Sequence, residues 1–288
     1  MDHIHSISDL TLMRVQAGSG AVFGTFLGTH MLNHMVLNLG WGAGKSFLLA
    51  ARHYYQFPLI ERVVLPAAFV VHLGASTIRF LRRRAAARVA AEHAAAKKSD
   101  DAGGEAPAAA AAAGSTDLVE QLPWTTAAGV TRWQRITGAF MLVFVGGHVA
   151  ATRIVPLYYL RDPSVLDHGL VTITLRLMPA AFYPYYTLFG VAGVYHVIHG
   201  LGSLLRVFAP DATATSAAVS PVGRSRHWRI ASLVGALLVA TSIQVAGARF
   251  YPITVPYAGE VIDVLYRIFG NLADYRSKVD YAVTGVAA

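Results

Sequence analysis

The sequence predicts an all-α integral membrane bundle of five transmembrane helices: two internally similar halves of two spans each, plus a fifth helix. Three observations carry this. Hydrophobic residues make up 55% of the chain and charged residues only 14%, far below the quarter usual in soluble domains. Five apolar stretches each approach the ~20 residues needed to cross ~30 Å of hydrocarbon. The arginines cluster at the ends of those stretches.

In chain order, the apolar stretches run roughly over Arg14–Leu37, Leu59–Leu81, Trp133–Tyr158, Ala181–Phe208 and Ile230–Ala248. The preceding Met1–Leu12 holds two acidic residues and no arginine, and no small-residue cleavage site follows it, so any targeting is expected to be internal. Arg79, Arg82, Arg83 and Arg84 close the second span, Arg132 and Arg135 open the third, Arg206 closes the fourth, and Arg224, Arg226 and Arg229 open the fifth. With the N-terminus on the same side, all of these fall on one face, as the positive-inside rule requires. The formal charge of +8 is therefore a topology signal, and no nucleic-acid partner is expected.

The expected organisation is a first half over 1–84, an Ala-rich linker over 85–131, a second half over 132–208, a loop and fifth span over 209–248, and an interfacial tail over 249–288. The linker reads as a helical extension fraying into disorder. In the tail, Val261, Ile262, Leu265, Ile268, Phe269 and Leu272 recur at helical spacing among charges, the pattern of a helix lying on the membrane surface.

An internal repeat carries the chemistry. Arg14-Val-Gln16-Ala-Gly-Ser19-Gly20 precedes His30, and Arg132-Trp-Gln134-Arg-Ile-Thr137-Gly138 precedes His148. In both copies the histidine follows the arginine by 16 residues and the glycine by ten, which places it ~24 Å up a helix entering from the arginine-rich face. The second helix of each half adds His72, seven residues before Arg79, and His196 or His199, ten or seven before Arg206. These lie ~10–15 Å from that face, and spacing alone leaves the choice between His196 and His199 open. Two histidine pairs at matched depths are thus expected, one above the other.

A lone membrane histidine is most simply an interhelical hydrogen bond. Four at paired depths within a repeat point instead to ligands. Paired neutral imidazoles from opposed helices suit the iron of b-type haem, two of which are expected, whereas zinc would want further ligands that these depths lack. With no cysteine in the chain, iron–sulfur and thiolate sites are excluded. Gly20, Gly24 and Gly28, with Gly146 and Gly147, would give room for a macrocycle or for close helix packing. His34 is a substitute ligand or a hydrogen-bonding group, and His53, His168 and His227 are expected to be solvated. Gly40-Trp-Gly-Ala-Gly44-Lys45-Ser46 imitates a phosphate loop, but its spacing is short and no strand precedes it. Glu61 is either an acid for quinone chemistry or one side of an interfacial ion pair.

The repeated Gln-x-x-Ser/Thr-Gly followed by histidine is similar to the dihaem cytochrome b anchors of succinate and fumarate:quinone oxidoreductases. Over Tyr54-Tyr55-Gln56-Phe-Pro58-Leu59-Ile-Glu61, His72 with its arginines, Thr137-Gly138 through His148, Arg153 and Pro156, then Gly190-Val-Ala-Gly193-Val-Tyr195-His196 and Gly200, the chain more closely resembles a second family. This is the fungal mitochondrial membrane family founded on a complementer of a missing ER–mitochondria tether, a distant relative of the haem anchors. The resemblance implies a haem-binding, five-span mitochondrial protein of lipid homeostasis. The alternatives are a quinone-reactive, electron-transfer anchor needing separate redox subunits, or a helical scaffold in the lipid bilayer. By itself the chain is not expected to be an enzyme.

Overall fold

The computed structural model describes residues 7–100, 127–159, 167–208 and 226–251, with Ile253, Val255, Gly259, Val261, Ile262 and Leu265. The linker beyond Asp100, the loop carrying Arg224 and the tail beyond Leu265, including Tyr275, lie outside the described residues, as do His3 and His5.

The described residues are all helical or irregular. Helix α1 (Asp9–Val36) starts at Ser8, whose hydroxyl accepts the Thr11 amide at 3.0 Å, and it runs into a 3₁₀ turn (Leu37–Leu39). Gly40, at φ +115°, reverses the chain into α2 (Trp41–Tyr55), a backbone value that disfavours any side chain. The phosphate-loop imitation is simply this turn and the start of α2. Helix α3 (Leu65–Asp100) follows a π-helical segment (Ile60–Val64), and α4 (Ala127–Val149) passes through a second (Ala150–Ile154) into α5 (Val155–Tyr159). Helices α6 (His168–Leu177), α7 (Pro179–Val207) and α8 (Arg226–Ala246) complete the set.

Both π segments have one cause. Pro66 and Pro156 each stand two residues beyond a π segment. Proline lacks the amide that would bond the carbonyl four residues back and its ring crowds that carbonyl, here of Arg62 and Thr152. Widening the preceding turn relieves the crowding, as π bulges do inside longer helices.

Among the described residues, four helices are long and apolar enough to cross a membrane: Ile60–His93, Arg132–Tyr158, Pro179–Leu205 and His227–Ala246. These match four of the five expected spans. Helix α1, the remaining one, has 28 residues, but its glycines, threonines, asparagine and histidines lower its hydropathy below that of the others. It packs along α3 and α7 and touches α2 and α8, and its Asn33 is buried. The expected linker is helical up to Asp100, since the alanine-rich run after Leu81 contains no breaker.

Beyond the spans, α6 forms a small core with the following chain. Leu170, Ile173 and Leu177 are buried with Ile253, Val255, Val261, Ile262 and Leu265, and the Arg176 guanidinium donates to the Ile253 carbonyl at 2.7 Å. The apolar stripe of the tail is therefore covered by protein at these positions. The same core buries His168 to 2% exposure, against the expectation of a solvated residue. Asp167 caps α6 by accepting the Gly169 amide at 2.7 Å, and His168 follows it inward to Trp41 and His34, at ring separations of 5.9 and 5.5 Å.

Burial pushes the His168 imidazole down from 6.5 to about 4. Its folded value lies below its unfolded value, so the stability it contributes is complete above pH 6.5 and is lost as pH falls toward 4, by up to about 3 kcal/mol. Melting temperature in detergent should fall over that window. In His168→Leu the fall should be smaller.

Candidate functional site

The repeated motif makes equivalent contacts in its two copies. On α1, the Ser19 hydroxyl donates to the Val15 and Gln16 carbonyls, and on α4 the Thr137 hydroxyl donates to those of Trp133 and Gln134. The Gln16 carbonyl lies 2.9 Å from His72 Nδ1, and the Gln134 carbonyl 3.2 Å from His196 Nδ1. A carbonyl only accepts, so Nδ1 carries the proton in both rings and Nε2 keeps its lone pair. That is the tautomer of a metal-ligating histidine, which donates its other N–H to a carbonyl or carboxylate.

The glycine of each motif makes the approach possible. A Cβ on Gly20 would stand 2.8 Å from His72 Nδ1, and one on Gly138 would stand 3.0 Å from His196 Cε1. The glutamine side chains complete each cradle. Gln16 donates to Ser76 at 2.9 Å and accepts from Arg79 at 2.6 Å, while Gln134 donates to the His196 carbonyl at 3.1 Å. Arg79 also pairs with Asp9 at 3.2 Å, and this hydrogen bond holds the Asp9 carboxyl below the usual carboxylate range.

Two imidazole pairs result. His72 on α3 and His196 on α7 have ring centres 6.3 Å apart, and His30 on α1 and His148 on α4 have centres 5.9 Å apart. The second pair sits ten residues, or ~15 Å, further along α1 than the Gly20 that touches His72. An imidazole nitrogen bonds a metal at about 2 Å with its ring centre ~1 Å behind, so two imidazoles sharing one metal have centres about 6 Å apart. Both separations fit that span. All four rings are only half-buried, and neither α1 with α4 nor α3 with α7 is among the closely packed helix pairs of the described residues. The rings thus bridge helices that stand apart.

His199 is turned elsewhere. Its Nε2 lies 3.2 Å from the Ser232 hydroxyl on α8 and its ring packs on Tyr195, so His196 is the residue of α7 that faces His72. The two positions point ~60° apart on a helix, and close packing of α7 on α8 takes the His199 side.

Around the upper pair, Tyr185 places its hydroxyl 3.5 Å from His148 Nδ1, Phe189 packs on the His148 ring, and Phe26 stacks on His30 at 5.8 Å. His34 touches His30 at 4.9 Å, with its Nδ1 buried and unpartnered. His53, His93 and His227 are exposed. Among the described residues, no group of three or more histidines or carboxylates is arranged to hold a bare metal ion.

The glycine stripe divides by role. Gly20 is pressed against His72 and Gly28 makes ordinary contact with Val197, but a Cβ on Gly24, Gly146 or Gly147 would meet nothing within 4 Å. Close helix packing falls instead to glycines outside the stripe, such as Gly190 against Val239 and Gly235 against Val194. Glu61 forms a two-point ion pair with Arg153, through Nε to Oε1 at 2.5 Å and Nη2 to Oε2 at 2.8 Å. Its carboxylate is occupied across the bundle, and the arginine it meets is Arg153 rather than its neighbour Arg62.

Residues 143–259 match the family model described as the MDM10-complementing protein 1 transmembrane domain. Neither a curated protein nor a solved structure matches the chain. The stretch similar to the MDM10-complementing protein 1 domain contains His148 and His196, one member of each imidazole pair, together with Arg153, Pro156 and helices α5 to α8. Their partners His30, His72 and Glu61 lie before it. The match supports the family resemblance carried by these residues and the assignment of an integral membrane protein.

Sequence reasoning missed the roles of four residues here. Gly138 and Gln134 stand in the motif but their part in holding an imidazole follows only from the facing helix, and Tyr185 carries no spacing signal at all. Neither does Arg153, which stands three residues before Pro156 whereas Glu61 stands five before Pro66.

Proposed function

We propose that the chain is a five-span mitochondrial membrane protein related to the MDM10-complementing protein 1 family, that it holds two b-type haems, one between His72 and His196 and one between His30 and His148, and that it serves mitochondrial lipid homeostasis. The observation that carries the haem reading is the pair of matched cradles: in each, the backbone carbonyl of a motif glutamine fixes an imidazole with its Nε2 lone pair free, ~6 Å from an imidazole of another helix. Helix α1 is the fifth span in this reading, which its packing along α3 and α7 and its contacts with α8 support.

Two imidazoles are what a porphyrin asks of a protein, because the macrocycle supplies the other four iron ligands. Held by two imidazoles, such a group would supply single-electron exchange rather than oxygen binding. The chain's own residues orient the ligands. Gln16 and Gln134 fix the tautomers of His72 and His196, Gly20 and Gly138 let those rings approach, and Tyr185 and Phe26 steady His148 and His30. The mitochondrial and lipid roles rest on the family likeness over residues 143–259. Of the two roles open to Glu61, its contact with Arg153 supports the ion pair.

Electron paramagnetic resonance of the oxidised, purified protein tests the ligation. Low-spin signals of bis-imidazole haem are expected, and a high-spin signal alone would refute paired histidines.

Gly24 gives a separate test, because a Cβ there would meet nothing within 4 Å. Gly24→Leu should keep wild-type yield and helicity while haem content falls severalfold. Unchanged haem content would place this face outside the cofactor site.

A further inference from the structure

We infer that Glu61 and Arg153 form a strut between the start of α3 and the end of α4, positioning His148 opposite His30; this rests on the haem reading given above. Helix α7 packs along both α1 and α4, but α1 and α4 are not closely packed on each other, and neither are α3 and α4. Shared packing on α7 brings the two helices near each other but leaves the facing of His148 toward His30 open to a second contact. The two-point Arg153–Glu61 pair supplies one, joining the π segment after His148 to the π segment before α3.

The π segments aim both side chains. In an α-helix, residue i+5 lies about 140° around from residue i, whereas in a π turn the residue five along comes back beneath it. Through Ala150–Ile154 the chain therefore turns Arg153 back toward the side of His148, and the Thr152 hydroxyl holds the local backbone by donating to the His148 carbonyl at 2.7 Å. Pro156 and Pro66 impose the two π turns, so the strut follows from the sequence through them.

The strut also reaches His30. Tyr55 lies within the field of both Arg153 and Glu61 and packs edge-on against Phe26 at 5.3 Å, and Phe26 stacks on His30. Both members of the pair are only about a quarter exposed, at 26% and 21%, and the geometry is two-pronged, which favours a specific contact over a loose surface pair.

The absence of cysteine allows a haem-independent test. Leu32 and Val149, exposed and adjacent to the upper histidines, can each be changed to cysteine and spin-labelled, and the distance between labels measured in otherwise wild-type, Glu61→Gln, Arg153→Gln, Pro156→Ala and Glu61→Arg/Arg153→Glu proteins. The three single variants should broaden and shift the distribution, and the charge swap should restore it. In parallel, the singles should lower the His30–His148 spectral component severalfold and leave the His72–His196 component intact. A distribution unmoved by Glu61→Gln and Arg153→Gln overturns the strut, and so does equal loss of both components without rescue by the swap. If the wild-type protein carries no haem while the distances respond as described, the haem reading fails and the strut stands.

Discussion

His30→Ala and His148→Ala are each expected to abolish the same spectral component and leave the other in place. The two rings face each other at 5.9 Å from separate helices, and the lower pair is ~15 Å away with its own cradle. If the two rings hold one haem between them, removing either would destroy the same site, so the double variant should lose little more haem than either single, the non-additivity of residues acting as a unit. Independent, summing losses would show that the two histidines serve different sites. His34 sits 4.9 Å from His30 and is the residue to which the ligand would pass if His30→Ala retained both components. In the lower site, His196→Ala should reproduce the loss seen in His72→Ala. His199→Ala should leave both components, because its ring bonds Ser232 on α8.

The second large effect is expected from a single methyl group. Gly20→Ala would put a Cβ 2.8 Å from His72 Nδ1, and that ring is held by the Gln16 carbonyl on the same helix. The imidazole must leave its bond to the carbonyl, α1 and α3 must part, or both; overpacking of this kind costs about 1–3 kcal/mol. The expected outcome is loss of the His72–His196 component with the upper component retained. Gly138→Ala should act more weakly, because its nearest ring atom is Cε1 at 3.0 Å and the carbonyl bond there is longer, at 3.2 Å. Haem content and the reduced spectrum of the two variants check the order. Full loading of Gly20→Ala would mean that the cradle yields without consequence.

The comparison between motif and structure shows where a sequence is informative. Periodicity and hydropathy locate the helices because burial in lipid imposes composition along the whole length of a span. They single out α1 less clearly than the others, since its glycines, threonines and histidines lower its hydropathy. Counting residues from the arginines places His30 level with His148 because rise per residue is constant. The same arithmetic leaves His196 and His199 open, since a choice between residues three apart depends on which face α8 covers. Glycines at every fourth position look alike in sequence, yet only Gly20 of the stripe touches a ring closely, which depends on where the facing histidine falls. His168 reads as a loop residue because its burial comes from α6 meeting Val255, Val261 and Leu265 some ninety residues later, a contact without local signature. Pro66 and Pro156 do carry a local signal for the π turns. The consequence, Arg153 on Glu61, needs both turns in space at once.

Haem stoichiometry of the purified chain, by pyridine haemochrome against quantitative amino-acid analysis, tests the central claim most directly. Two b-type haems per polypeptide are predicted, giving a reduced-minus-oxidised difference spectrum with two resolvable components. A colourless, folded protein that takes up no haem on reconstitution would contradict the account and leave the paired imidazoles as hydrogen-bonding groups of a helical membrane scaffold.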